Sequence, residues 1–201
     1  MPKNVDNPPS REIRLSAGEK RRAELLDTAK KIFLEKGFNA ATVNDILLAV
    51  GLSKGGFYHH FKSKDEVLDA LRVQYTQRFL EILEERVAAL PDDALEERFQ
   101  AWIKAFVDAY YSSYAEHDLL YHSVHSNRSN ADRTAIIKSL KRLLEQGLAK
   151  GAWSLSSPLL TATIVYSAIH GVVDEAIAAR NNEPILLAEQ LYTSLKLLLQ
   201  R

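Results

Sequence analysis

Residues 42–64 read TVNDILLAVGLSKGGFYHHFKSK. Thr42 has a capping hydroxyl with Asp45 three residues on, and Val43, Ile46, Leu47 and Val50 are the apolar positions of a short helix that Gly51 ends. Ser53 is a second N-cap only two residues past that glycine, so a further helix starts at Lys54 and reaches about His60. Ser63 caps the next, with Asp65 and Glu66 in its first turn, where the macrodipole favours negative charge. Two short helices joined by a tight glycine turn make a helix-turn-helix, whose second helix is shaped to enter the DNA major groove.

That second helix carries an unusual mixture. Gly55 and Gly56 lie in its first turn, where each costs roughly 1 kcal/mol relative to alanine. Backbone without Cβ atoms can approach base edges closely, which is a reason to tolerate the cost. Phe57 and Phe61 are four apart and should face inward, towards Ile32, Phe33 and Ile46. Tyr58, His59, Lys62 and Lys64 fall on or near the exposed side, where hydroxyl, imidazole and ammonium groups can meet phosphates. The competing reading is an ordinary helical hairpin with a solvated basic edge.

Outward from this segment the chain is helical. Residues 1–15 hold three prolines and little periodicity and read as a disordered arm. Ser16 and Glu19 form a capping box, and Leu25, Leu26, Ala29, Ile32 and Phe33 mark one face of a helix that stops at Gly37. Beyond Ser63, helices are expected over 65–88, 93–116, 131–149, 158–179 and 184–200, with an ambiguous stretch near 118–127. No strand signal of any length appears, so the fold class is all-α.

The net charge of zero hides an asymmetry. Residues 1–64 hold 12 Lys and Arg against 7 Asp and Glu, which leaves 14 against 19 in the remainder. A basic head on an acidic body suits a polyanion-binding module joined to something else. There is no cysteine, so neither disulfides nor thiolate chemistry is available. The first residues lack the apolar core of a signal peptide, and the most apolar stretch, Leu159–Ala179, carries His170, Asp174 and Glu175. Both predict a cytoplasmic protein without membrane contact.

Residues about 20–70, including ELLDTAKKIFLEKGF, TVNDI, AVGLSKG and YHHFKSK, resemble the N-terminal domain of the TetR family of transcriptional regulators. The resemblance covers about a quarter of the chain. It implies an N-terminal three-helix DNA-binding domain over 16–64 and a C-terminal helical domain over 65–201 that binds a small effector and dimerises. It further implies that Thr42, Tyr58 and Lys64 contact phosphates, that Lys54, Gly55 and Asn44 sit at bases, and that His59 serves either. Gly56 stands where the family often has Thr, Ala or Ser, which removes one possible contact. His60 is expected to be partly buried.

In the body, Trp102, Ala105, Phe106, Ala109 and Tyr110 form a stripe at helical spacing that suits a core or an apolar pocket. Tyr110, Tyr111, Tyr114, Tyr121, His122 and His125 add more hydroxyls and imidazoles than a plain core needs, and His170 stands four residues before Asp174. In the family's architecture this region lines the effector cavity, which makes these residues other than Tyr111, with Trp102 and Phe106, the candidate effector contacts. His122 and His125 near His117 and Glu116 lack a metal-site spacing, and no nucleophile or phosphate-binding loop is recognisable, so no cofactor, metal or enzymatic activity is expected. Residues 159–179 are apolar on nearly all sides, including Ile164, Val165, Ala168 and Val172, and the last helix bears Leu191, Leu195 and Leu198. Such helices can pair as a four-helix bundle about a twofold axis.

The function expected is a dimeric repressor on an inverted-repeat operator, released by a small molecule. The alternative is a helix-turn-helix protein whose body binds a protein partner instead.

Overall fold

The computed structural model describes residues 16–122 and 129–199. Among them the chain is all helical: α1 (Ala17–Lys36), α2 (Val43–Val50), α3 (Lys54–His60), α4 (Lys64–Ala88), α5 (Leu95–Ser112), α6 (Tyr114–Tyr121), α7 (Ser129–Ala149), α8 (Pro158–Ala178) and α9 (Pro184–Leu195), closed by a 3-10 turn at Lys196–Leu199. The expected arm, 1–15, lies outside the described residues.

The helix starts are held by the caps that the sequence offers. Ser16 and Glu19 bond reciprocally, as do Thr42 and Asp45, while Ser53 and Ser63 accept from the backbone N–H of Gly56 and Glu66. Gly51 closes α2 at φ 66°, in the left-handed region that a residue with a Cβ rarely adopts. Leu25, Leu26, Phe33, Ile46, Phe57 and Phe61 then fill one apolar core from α1, α2, α3 and the following loop. Arg22 closes it from outside, its guanidinium 4.7 Å from the centre of the Phe61 ring.

α4 continues that core into the body. Val67, Leu68 and Leu71 are buried near its start, and Tyr75, Phe79 and Leu83 are buried further along. The body packs α5 against α4, α8 and α9, with α7 lying on α4 and α8. Arg72 is buried and ties α4 to α6 by donating from Nε to the carbonyl of Leu120 at 2.7 Å.

Two boundaries differ from expectation. The helix read over 93–116 breaks at Ser113, whose hydroxyl donates to the carbonyl of Ala109 at 2.6 Å, and α6 restarts at Tyr114. The last helix tightens to a 3-10 turn after Leu195. Neither change has a glycine or proline to mark it.

Trp153 supplies a further fixed point. Its indole N–H donates to the carbonyl of Leu144 at 2.8 Å, and its ring lies on the backbone of α7 at Gly147. A Cβ at 147 would stand 1.9 Å from Trp153 Cζ2, so only glycine leaves room for the ring. Gly147→Ala should therefore destabilise the fold by about 1–3 kcal/mol through overpacking. The expected result is a melting temperature several degrees lower with an altered near-ultraviolet tryptophan signal; an unchanged melt would show that Trp153 can move without cost.

Candidate DNA-reading surface and effector cavity

The α2–α3 unit presents one outward face. Thr42, Asn44, Lys54, Gly55, Tyr58, His59 and Lys62 are all exposed, and Tyr58 is 49% accessible although its ring packs edge-on against Phe57. His60 is half-buried, as expected. Asp45 underlies the face: its bond from Lys36 and its bonds from Thr42 hold its carboxyl at about 2, so it stays ionised and keeps Thr42 oriented.

Two positions depart from the sequence reading. Gly56 is half-buried, and a Cβ there would come 3.0 Å from Leu52 Cδ2, so this glycine faces the turn and not the outer surface. Lys64 directs its ammonium back to the loop between α1 and α2, donating to the carbonyls of Phe38 and Ala41 at 2.6 and 2.7 Å and lying 4.3 Å from the centre of the Phe38 ring. It clasps that loop to α4, which leaves one of its three protons for any outside acceptor.

The body holds a cavity of about 400 Å³ between α4, α5, α6, α7 and α8. Of the expected contacts, Phe106, Tyr110, Tyr121, His122 and His170 line it. Trp102 does not: it is buried lower in α5, and its indole N–H donates to Ser139 Oγ at 3.1 Å. Tyr114 is also absent from the wall and packs on the ring of Tyr110. His125 lies outside the described residues. The sequence reading missed Tyr75, Thr76 and Phe79 of α4, Asp132 and Arg133 of α7 and Tyr166 of α8, and it weighed His117 only as a metal ligand. The i, i+1, i+4 spacing of Tyr75, Thr76 and Phe79 was a signal that could have found the α4 wall.

Tyr110 is the centre of the polar wall. It donates to Asp174 Oδ1 at 2.6 Å and lies 3.1 Å from His117 Nδ1, while His170 Nδ1 stands 3.0 Å from Asp174 Oδ2. Burial lowers His117 to about 3 and lowers His170 as well, and it raises Tyr75 and Tyr166 to about 12. Burial also raises Asp132, against the bond from Tyr121. The cavity is thus ringed by neutral aromatic groups. No cluster of three metal-ligating side chains occurs among the described residues.

A third surface is apolar. Leu160, Ile164 and Val172 of α8 and Ile185, Leu186, Leu197 and Leu198 at the C-terminal end are exposed. Of the residues expected at an interface, Ile164, Val172 and Leu198 belong to this face, and Ala168 is half-buried. Val165, Leu191 and Leu195 instead fill the protomer's own core, because helical periodicity turns them inward towards α5.

Residues 25–71 match the family model described as bacterial regulatory proteins, tetR family. Over these residues the chain is of the TetR type. The HTH-type transcriptional repressor KstR2 of Rhodococcus jostii is 49% identical over 51 residues, 25% of this chain and 25% of that protein. The HTH-type transcriptional repressor Rv1474c of Mycobacterium tuberculosis is 41% identical over 58 residues, 29% of this chain and 31% of that one. The matched region thus spans only a quarter to a third of these curated relatives. The structure of the fatty acid degradation regulator FadR from Bacillus halodurans superposes with a TM-score of 0.74 over 90% of this chain and 96% of that chain at 17% identity, a likeness of fold. Sequence kinship is thus concentrated in the helix-turn-helix, and the body is related by architecture.

The buried histidine gives the fold a pH signature. Folding lowers His117 from 6.5 to about 3, so between those values the unfolded chain holds a proton that the folded one lacks. Stability therefore rises with pH across this window and is flat above it; it is lost as pH falls below 6.5. Urea unfolding at pH 7.5 and 5.0 should show that loss, and His117→Phe should shrink it. An equal loss in the variant would remove His117 as its source.

Proposed function

We propose that the chain is a dimeric, sequence-specific DNA-binding transcriptional repressor, acting in the cytoplasm and released from an inverted-repeat operator by a small molecule held in the α4–α8 cavity. The observation that carries this reading is the outward face of α2 and α3. Two phosphate-seeking tips, Tyr58 and Lys62, flank an open backbone at Gly55, on a module whose relatives are named repressors. The exposed apolar face of α8 and the C-terminal end is the surface that a second copy would cover. A twofold dimer sets two recognition helices about 34 Å apart, one turn of DNA, and so calls for an inverted repeat. The aromatic cavity set among the helices favours a small molecule over a protein partner for the body, since a partner docks on a surface and not within a helical bundle.

The same structure suggests how occupancy reaches the DNA. Glu116 adjoins His117 of the cavity wall, and its Oε1 lies 3.6 Å from Lys30 Nζ of α1 and 2.7 Å from Arg78 Nη2 of α4. A ligand that displaces α6 therefore pulls on both the helix-turn-helix domain and α4. Differential binding of about 1–3 kcal/mol is enough for a useful switch.

In a gel shift with the DNA upstream of its own gene, Tyr58→Ala should weaken binding about ten-fold or more, and Lys62→Ala should reduce the salt slope by about one. Absence of a sequence-specific shift for the unaltered protein at moderate salt would reject the reading. Ile164→Glu should convert the dimer to the 22.6 kDa monomer in sedimentation at micromolar concentration. A monomer before substitution would reject the dimer.

A further inference from the structure

The protons of the cavity wall can be followed atom by atom. Tyr75 Oη lies 3.0 Å from Ser113 Oγ, and that serine commits its own proton to the carbonyl of Ala109. The tyrosine is therefore the donor of the pair. Tyr121 Oη donates to Asp132 Oδ2 at 3.1 Å and so accepts from Thr76 Oγ1 at 3.0 Å. Tyr110 Oη donates to Asp174 Oδ1, which leaves its oxygen only able to accept from His117 Nδ1. That contact fixes His117 as the Nδ1–H tautomer, with its lone pair on Nε2.

His170 follows the same logic. Its Nδ1 donates to Asp174 Oδ2, so the neutral ring also carries its lone pair on Nε2, 3.4 Å from a tyrosine oxygen whose proton is already committed. Desolvation by burial keeps both imidazoles neutral at physiological pH.

What remains for a guest is mostly lone pairs. The hydroxyls of Tyr75, Thr76, Tyr110 and Tyr121 are all directed to protein acceptors, while His117 Nε2 has no protein partner among the described residues. Tyr166 keeps a hydroxyl that can act either way. The cationic donor of the wall, Arg133, is exposed at the rim, with its guanidinium 5.5 Å from the Tyr166 ring and 3.4 Å from Ser167 Oγ. Around this polar end stand the rings of Phe79, Phe106, Tyr110 and Tyr166, which suit a flat π-system.

We infer that the cavity takes a flat aromatic molecule carrying a hydrogen-bond donor, a phenol or ring N–H, at its buried end. A carboxylate at that end would face two imine nitrogens and the nearby Asp132 and Asp174, with only the Tyr166 hydroxyl to replace its lost water. An ether or ester would leave those lone pairs unmatched. The inference rests on the reading of this cavity as the effector site, and the experiment separates the two.

Isothermal titration of the full-length protein uses three probes of similar shape: 2-naphthol, 2-methoxynaphthalene and 2-naphthoate. The expected result is that 2-naphthol binds about ten-fold or more tightly than either of the others, and that His117→Phe brings its ratio to the ether towards one. Equal binding, or a preference for the ether or the carboxylate, overturns the donor assignment and leaves the cavity as an effector site. Binding of none of the three overturns the effector reading itself, and the donor assignment with it. If His117→Phe does not fold, the ratios for the unaltered protein decide alone.

Discussion

α4 is a single helix of 25 residues that has to bury its apolar side twice. Near its start Val67, Leu68 and Leu71 complete the core beneath the recognition helix; further along, Tyr75, Phe79 and Leu83 belong to the body. A helix of this length spans about 37 Å as one rod. Nothing can shift Tyr75 without also loading Leu71 one turn earlier, because packed interiors have little free volume to absorb displacement. The clasp of Lys64 on the carbonyls of Phe38 and Ala41 fastens the start of that rod to the loop before α2. A cavity wall and a DNA-facing helix are thus linked by covalent continuity before any contact is invoked.

The second link is electrostatic and runs through α6. Glu116 takes Lys30 from α1 and Arg78 from α4, while the neighbouring His117 enters the cavity and Leu120 receives Arg72. Glu116 itself is mostly sheltered, its side chain 16% accessible, so this pairing is less screened than a surface ion pair. α6 is also the segment that sequence reading located least well. Its start depends on the Ser113 hydroxyl reaching back to Ala109, a local competition between side chain and helix that leaves no periodic trace.

The contrast between the two halves explains what could be read in advance. The helix-turn-helix is written in short-range chemistry: caps at Ser16, Thr42, Ser53 and Ser63, a left-handed Gly51, and apolar residues spaced for one face. Each of these signals acts over four residues or fewer, so a linear reading captures them. The cavity is made by long-range meetings, such as Tyr110 with Asp174, 64 positions apart, and Thr76 with Tyr121, 45 apart. Periodicity placed Trp102 and Tyr110 on one α5 stripe, yet α5 is surrounded by α4, α7, α8 and α9, so a stripe does not say which neighbour it meets. Trp102 turned to Ser139 of α7 and Tyr110 to α8. The same ambiguity sent Val165, Leu191 and Leu195 inward while Ile164, Val172 and Leu198 stayed outside.

The paired glycines of α3 separate two physical roles that the sequence alone merges. A seven-residue helix with two glycines concedes about 2 kcal/mol in propensity, on a length that is already too short to persist alone. Full burial of Phe57 and Phe61, each contributing about 1.5–3 kcal/mol, offsets this, so α3 exists because of its core contacts and not its own preference. Within that frame Gly56 admits Leu52 beneath the turn, while a Cβ at Gly55 would meet nothing nearer than Ser53 Oγ at 4.0 Å. The close-approach surface is therefore one glycine wide. On the DNA-binding reading proposed above, discrimination between DNA sequences falls to the side chains around it, Lys54, Tyr58 and His59 on α3 and Asn44 on α2, each of them exposed and held by a helix whose stability lies on its opposite face.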